Sequence, residues 1–310
     1  MSLHTRFTDI VGCDVPIQLA GMGMVATPAL AAAVSAAGGL GMLGVASEPL
    51  ADRLEQLDAL GAGPYGINFL GPFLAPAEID IAAGRVRVVE LFWLAPDAAL
   101  VERIHNGGSL ASWQVGSIDE AKAAVDAGCD LVVVQGVEAG GHVRGTVSLL
   151  PLLASILDAV DGLAGDQVAV VAAGGIGTAR AMAAALAAGA DAVRVGTRFI
   201  ATLESQAHDD YKAALVGAGA EDTMMNEEFG RETGWPDAPN RVLRSCFEAA
   251  LSSPPGPDRF STMPPVAGIT GNVAAMAMYA GQSVAAVTGI PSAADVVREL
   301  ASGAEALLRR

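Results

Sequence analysis

Asp130-Leu-Val-Val-Val-Gln-Gly-Val-Glu-Ala-Gly-Gly-His142 decides how this chain reads. Four consecutive apolar residues end in a glycine-rich break that presents one imidazole. A strand that is apolar throughout, rather than alternating, is covered on both faces, the mark of a parallel sheet flanked by helices. Val168-Ala-Val-Val-Ala172 repeats the pattern and runs into Ala173-Gly-Gly-Ile-Gly177. Working outward, further β-like runs lie at Ile17–Met22, Leu40–Val45, Tyr65–Leu70, Val86–Trp93, Leu110–Val115 and Ala192–Val195, which with Leu131–Gln135 and Val168–Ala172 makes eight. Helix-like stretches separate them: Pro28–Ala37, Pro49–Leu60, Pro96–His105, Ile118–Ala127, Leu149–Val160 and Thr178–Ala188. Thr27 before Pro28 reads as an N-cap with proline at the first helical position. Gly38, Gly128 and Gly189 each follow an alanine where a helix should stop. This alternation predicts an α/β fold, a TIM (β/α)8 barrel, with a doubly wound open sheet as the alternative.

The pattern lapses after Ile200. Residues Glu204–Pro265 are polar and broken by Pro and Gly, with helical runs expected at Asp209–Leu215 and Arg241–Leu251. An apolar, helix-like segment, Gly271–Val287, and a final helix, Ala293–Leu308, follow. We read residues 1–203 and 266–310 as the barrel. Residues 204–265 are then a small, mainly helical cap inserted between strand 8 and the last helix. A loosely attached linker is the other reading of that insert.

Composition narrows the function. In 310 residues, 52% are hydrophobic and 17% charged, enough for one large core. The net charge is −16 and the only lysines are Lys122 and Lys212. No basic patch could neutralise a phosphate backbone, which excludes a nucleic-acid partner. Cys13, Cys129 and Cys246 are widely spaced and odd in number, so they form neither a metal-ligand cluster nor a disulfide framework. Val15–Ser47 and Met263–Ala294 are long and uncharged, but Gly, Pro, Ser, Thr or Asn interrupts both every few residues. Neither offers the run of about 20 apolar residues that a membrane helix needs, and the N-terminus lacks the form of a signal peptide. A cytoplasmic protein is expected, and a homo-oligomer is compatible with the sequence.

In such barrels the active site lies at the C-terminal ends of the strands. Strand 1 ends there in Gly21-Met-Gly23, strand 3 carries Asn68, strand 7 ends in Gly174-Gly175 and strand 8 in Gly196-Thr197. Glycine-exposed backbone N–H groups after strands 7 and 8 hold an anion without a lysine. No P-loop spacing or first-unit GxGxxG is present, so a mononucleotide such as FMN fits better than ATP or a Rossmann-bound dinucleotide. Of the four histidines, His4, His105 and His208 lie in polar or terminal contexts, whereas His142 follows a strand end and two glycines. Its ordinary pKa, the nearest of any side chain to neutrality, suits proton transfer.

These residues resemble the nitronate monooxygenase (2-nitropropane dioxygenase-like) family of FMN-dependent TIM barrels. The resemblance rests on Pro16–Met22, Leu30–Gly41, Gly66–Asn68, Gln135–His142, Ala172–Ile176, Gly189–Asp191 and Val195–Phe199, with Arg241–Arg244 and Ala280–Ser283 beyond. It implies that Gly21, Met22 and Gly23 line one flavin face and that Asn68 hydrogen-bonds the flavin. It also implies that Gln135 and Gly141 flank the isoalloxazine, that Gly174, Gly175, Gly196 and Thr197 cradle the phosphate, and that His142 is the catalytic base. The implied reaction oxidises an alkyl nitronate, or a nitroalkane, with O2 to a carbonyl compound and nitrite. Two departures stand out: Gln114 lies where some relatives place a lysine near the flavin, and Arg144 follows His142 closely, either to meet an anionic substrate or to be solvated. Glu138 reads as a loop residue that either forms a salt bridge within the loop or orients its neighbours, Trp93 and Trp113 as pocket or packing aromatics, and Cys129 as buried and inert. No cysteine occupies the loop after strand 6, which argues against an inosine-monophosphate-dehydrogenase-like nucleophile. A flavin enoyl-acyl-carrier reductase, an NAD(P)H:quinone reductase and a non-catalytic flavin-binding barrel remain as alternatives.

Overall fold

The computed structural model describes residues 3–44, 48–61, 63–231, 235 and 237–309. Eight parallel strands form the central sheet: β1 (Ile17–Leu19), β2 (Gly41–Leu43), β3 (Tyr65–Leu70), β4 (Val88–Phe92), β5 (Leu110–Val115), β6 (Leu131–Gln135), β8 (Ala169–Ala173) and β9 (Ala192–Val195). Their spatial order is β1-β9-β8-β6-β5-β4-β3-β2. The two ends meet through a parallel bridge between Gln18 and Leu40, with Leu19 N donating to Leu40 O and Leu40 N to Ile17 O, both at 2.9 Å. The sheet is thus the predicted barrel. Strands β1 and β4 are shorter than the sequence suggests, and Val45, the expected end of the second strand, lies outside the described residues.

Outer helices follow the strands: α2 (Pro28–Ala36), α3 (Leu50–Leu60), α4 (Pro76–Ala83), α5 (Ala98–Asn106), α6 (Ile118–Asp126), α7 (Leu149–Ala164) and α8 (Ala179–Ala187). Thr27, Asp97, Ser117 and Thr178 each accept a hydrogen bond from the backbone of the first turn that follows, which satisfies donors a helix cannot satisfy itself. The last helix, α12 (Ala293–Leu308), is capped by Ser292 and completes the ring between α8 and α2. At the opposite mouth lies α1 (Arg6–Val11), which the sequence reading did not anticipate. Phe7 is fully buried, Arg6 donates to Val168 O, and Arg87 donates back to Ile10 O. No helix among the described residues is long and apolar enough to cross a membrane.

Between the short helix α9 (Thr197–Ile200) and α12 lies the insert. It contains α10 (Asp209–Leu215), β10 (Thr223–Asn226), β11 (Asn240–Leu243) and α11 (Arg244–Ser252). Two expectations change here. Arg241–Leu251 is not one helix, because its first three residues belong to β11, which pairs antiparallel with β10. Gly271–Val287 is not a helix either, and holds only short 3-10 turns at Val273–Ala275 and Gln282–Ala286. Its backbone is engaged elsewhere: Leu243 N donates to Met278 O at 2.9 Å, Ala280 N to Arg241 O at 3.3 Å, and Tyr279 bridges Val242. The segment is apolar because it is buried beside β11. Ala275, Met278 and Val284 share one core cluster with Tyr211, Phe229, Val242 and Cys246, apart from the main barrel core.

The fold predicts a sharp contrast between two glycines. A Cβ on Gly41 would stand 2.0 Å from Ala31 O, since α2 rests directly on β2, whereas a Cβ on Gly84 would meet nothing within 4 Å. Gly41→Ala should cost about 1–3 kcal/mol or more, and Gly84→Ala should stay within about 1 kcal/mol of the parent. Denaturant unfolding of the two variants checks this.

Candidate functional site

The loop after β6 is held from both ends. Gln135, the last residue of β6, donates from Nε2 to His142 O at 2.9 Å and accepts at Oε1 from Arg144 N at 3.2 Å, so its amide is a clamp across the loop. Both carboxylate oxygens of Glu138 accept from Leu149 N, at 3.1 and 3.0 Å, and tie the loop to the start of α7. The chain then turns through Gly141, at φ +73°, into the two-residue strand β7 (Gly141–His142). This strand pairs antiparallel with β11, His142 opposite Asn240 and Gly141 opposite Arg241. The Arg241 guanidinium also donates to Val137 O at 3.0 and 3.2 Å. The insert therefore braces the loop through main chain and side chain together.

Aromatic rings surround the His142 imidazole. Trp235 stacks on it with centroids 4.0 Å apart at 25°, while Trp93 and Tyr279 approach at 5.9 and 5.6 Å. Phe73 and Trp93 in turn meet Trp235 edge to face, both at 5.3 Å. Nε2 of His142 is sealed from solvent and has no hydrogen-bond partner among the described residues. Burial lowers its pKa to about 4, so the ring is neutral at physiological pH. Trp93 adopts φ +64°, a conformation that bulky residues avoid; such strain persists where surrounding contacts hold it. Arg144 lies over Trp93 at 5.6 Å and pairs with Glu120, so it is neither simply solvated nor free for an anion.

A glycine cradle adjoins this box. Gly174 and Gly175 have φ +111° and +69°, and a Cβ on them would stand 3.0 Å from Gly136 O and 3.2 Å from Glu138 Cβ, respectively. On the next strand Gly196 faces Met22, whose Sδ would be 3.5 Å from an added Cβ, and Gly21 packs so closely on Asn68 that a Cβ would be 2.5 Å from that of Asn68. Thr197 Oγ1 accepts from Gly281 N at 3.0 Å. Gly281 itself packs against Glu138 O and Gly140 N, a contact only glycine allows. Gly23, at φ +54°, lies directly beneath Gly44, where a Cβ would come within 2.2 Å of Gly23 N.

Inside the barrel mouth lies a polar group that sequence reasoning missed. Glu90 on β4 is fully buried and pairs with Arg194 on β9. Gln18 Nε2 and Asn68 Nδ2 donate to the same carboxylate at 3.1 and 2.7 Å, Ser112 Oγ lies 3.4 Å away, and Arg194 also donates to Gln114 Oε1. The signal was present: a single charge interrupts each of two otherwise apolar strands, Val88-Val-Glu-Leu-Phe92 and Ala192-Val-Arg-Val195.

The structure thus gathers the residues picked from sequence into two adjoining groups. Gly21, Met22, Asn68, Gly196 and Thr197 lie on one side, and Gln135, Gly141, His142, Gly174 and Gly175 on the other, with Gly281 between. Trp235, Tyr279 and Phe73 were not foreseen as neighbours of His142, since they come from distant segments. Trp113 is buried and donates to Leu94 O at 3.2 Å, which makes it packing rather than pocket lining. Cys129 is buried with its thiol pushed up to about 12, the inert residue expected.

Comparison with known proteins gives this arrangement a context. The family model for nitronate monooxygenase matches residues 4–83 and 78–303. The chain is 37% identical over 254 residues to (3aS,4S,5R,7aS)-5-hydroxy-7a-methyl-1-oxo-octahydro-1H-indene-4-carboxyl-CoA dehydrogenase of Rhodococcus jostii, covering 81% of this chain and 68% of that one. It is 31% identical over 356 residues to nitronate monooxygenase of Pseudomonas aeruginosa, covering 95% and 97%. Among solved structures, FabK from Thermotoga maritima superposes with TM-score 0.82 at 29% identity over 99% of this chain and 97% of that chain. Nitroalkane oxidase from Streptomyces ansochromogenes gives 0.78 at 30% identity over 98% and 100%.

The aromatic box makes a prediction about acid. The His142 ring should remain neutral in the folded protein down to about pH 4, against 6.5 for an ordinary histidine. Between those values the unfolded chain binds a proton that the folded one refuses, so this site's contribution is complete above pH 6.5 and is lost as pH falls toward 4. NMR titration of the imidazole measures the first, and unfolding of His142→Asn should show a flatter acid limb than the parent.

Proposed function

The chain belongs to the nitronate monooxygenase family, and on that premise we propose that it oxidises alkyl nitronates with O2 to a carbonyl compound and nitrite, with FMN as its cofactor. At the level of the family it is a flavin-dependent oxidoreductase that acts on small molecules. The observation that carries the finer reading is the sealed Nε2 of a neutral histidine, unpartnered among the described residues, beside a glycine cradle. A base with so low a pKa suits a carbon acid whose proton is already loosened by a nitro group. The anion left behind then offsets the charge that the aromatic box disfavours on the imidazolium.

The residues present fit a flavin mononucleotide. Gly174 and Gly175, held in left-handed conformations, and Gly196 with Thr197 leave backbone N–H groups for a phosphate. Gly21, Met22 and Gly23 would line one face of the ring and Asn68 would hydrogen-bond it. Gly141, beside which an added Cβ meets nothing within 4 Å, leaves room on the side of His142. Gln135 acts there chiefly by fixing the loop. When bound, FMN supplies the redox chemistry, accepting electrons from the substrate and passing them to oxygen. His142 takes the α-proton of a neutral nitroalkane, or donates a hydrogen bond from its ring to a nitronate already formed. Trp235, Trp93 and Tyr279 keep water from its Nε2. A cytoplasmic location agrees with three free thiols.

A second reading has support of its own. The relative from Rhodococcus jostii is a carboxyl-CoA dehydrogenase and the superposed FabK shares nearly the whole chain, so the same base and cradle could serve dehydrogenation or reduction beside a carbonyl. Anaerobic mixing separates the two. A nitronate should reduce the flavin within turnover time and NADH or NADPH far more slowly; rapid reduction by a nicotinamide with no response to nitronate would overturn the nitronate assignment. In the same assay His142→Asn should retain flavin and lose about 10²–10⁴-fold on neutral nitroalkane, with much less loss on pre-formed nitronate. Gly175→Asp should empty the site, since its Cβ would meet Glu138 in a strained backbone and its charge would oppose a phosphate. The absorbance of the purified variant reads this directly.

A further inference from the structure

We infer that the buried Glu90–Arg194 pair is a positioning device, which fixes Asn68 as a hydrogen-bond acceptor and Gln114 as a donor toward the ring of the cofactor proposed above. The inference rests on that cofactor reading. It starts from what each group is able to do. A carboxylate only accepts and a guanidinium only donates. The Asn68 atom on Glu90 must therefore be its NH2 group, and the Gln114 atom on Arg194 must be its carbonyl oxygen. Whichever way the two amides are drawn, chemistry leaves Asn68 with Oδ1 to offer and Gln114 with Nε2 to offer.

Neither of these remaining atoms makes a hydrogen bond among the described residues. Nor is either sealed away: among the described residues the buried side-chain atoms without partners are Gln18 Oε1, His142 Nε2, Arg194 Nε and Arg198 Nε, and these two are not among them. They reach the open side of the network. Burial agrees, as Gln18, Glu90 and Ser112 are wholly buried while Asn68, Gln114 and Arg194 keep 4%, 7% and 7% of their surface. One acceptor and one donor therefore face the same mouth from β3 and β5. The pyrimidine edge of an isoalloxazine carries both an N–H donor and carbonyl acceptors, and it is the chemistry such a pair recognises.

Core stability alone gives no reason for these charges. Barrel interiors are filled by branched apolar side chains, and an apolar replacement for a buried ion pair is often neutral or stabilising. An amide between neutral partners is free to turn over, whereas one held by a formal charge is not.

The test measures FMN dissociation constants by fluorescence titration of flavin-free protein, together with the melting temperature of each flavin-free variant. Glu90→Gln with Arg194→Gln removes both formal charges and leaves amides that donate and accept alike, so no orientation is imposed. FMN affinity should fall about tenfold or more, while the melting temperature stays close to that of the parent. Arg194→Lys keeps a donor-only group, and its affinity should stay within about threefold of the parent, a fraction of one hydrogen bond. Unchanged affinity in the double variant at unchanged melting temperature overturns the inference. So does a loss of about tenfold or more in Arg194→Lys, a result that stands by itself even if the double variant does not fold. Parent protein that binds no FMN at all overturns the cofactor reading itself, and the inference with it, a result distinct from the other two.

Discussion

Two residues of antiparallel pairing hold the barrel mouth together. Gly141 and His142 lie against Arg241 and Asn240, and most of what surrounds the imidazole follows from that contact. It joins a loop that belongs to the sixth barrel strand to an insert that begins only after the eighth. Gly140 must pass close to Gly281 and Gly136 must admit the Glu138 carboxylate for the pairing to form. The glycines around His142 thus serve the approach of protein backbone to protein backbone at least as much as the approach of a ligand.

From that pairing the electrostatics follow. A histidine placed on a short strand and walled by Trp235, Trp93 and Tyr279 has no hydrogen-bond partner at Nε2 among the described residues. Burial without a counter-charge favours the neutral ring. The barrel interior adopts the opposite solution, where Glu90 and Arg194 neutralise one another and both oxygens of the carboxylate are hydrogen-bonded. The mouth therefore combines an uncharged imidazole in an apolar box with a charged pair in a polar floor. Each is tolerable because its surroundings are consistent, rings around the one and donors around the other.

Much of this was legible in the sequence, for physical reasons. Strands covered on both faces betray themselves as unbroken apolar runs, and helices capped by Thr27, Ser117 or Thr178 announce their starts. Glycines at strand ends pointed to the close backbone packing found there, and one histidine after two glycines pointed to the residue that the aromatic rings enclose. What failed was whatever depends on tertiary burial. Gly271–Val287 carries the composition of a buried helix, but its hydrogen bonds go to β11, and no local pattern distinguishes an apolar helix from an apolar strap. Trp235 and Tyr279 reach His142 from far along the chain, so spacing held no trace of them. Glu90 and Arg194 were visible as charges in the wrong place, and only their mutual contact shows why they are there.

The pairing of β7 with β11 also orders events in time. His142 leaves the ribosome almost a hundred residues before Asn240, its partner on the neighbouring strand. Contacts of such long sequence separation form late, because the intervening chain must first lose its freedom. A nascent chain released or stalled before Asn240 would have its eight barrel strands complete, yet its histidine would sit on a loop without the strand that pairs with it. His142 thus gains its brace as a late step of synthesis, after the eight strands of the barrel have been made.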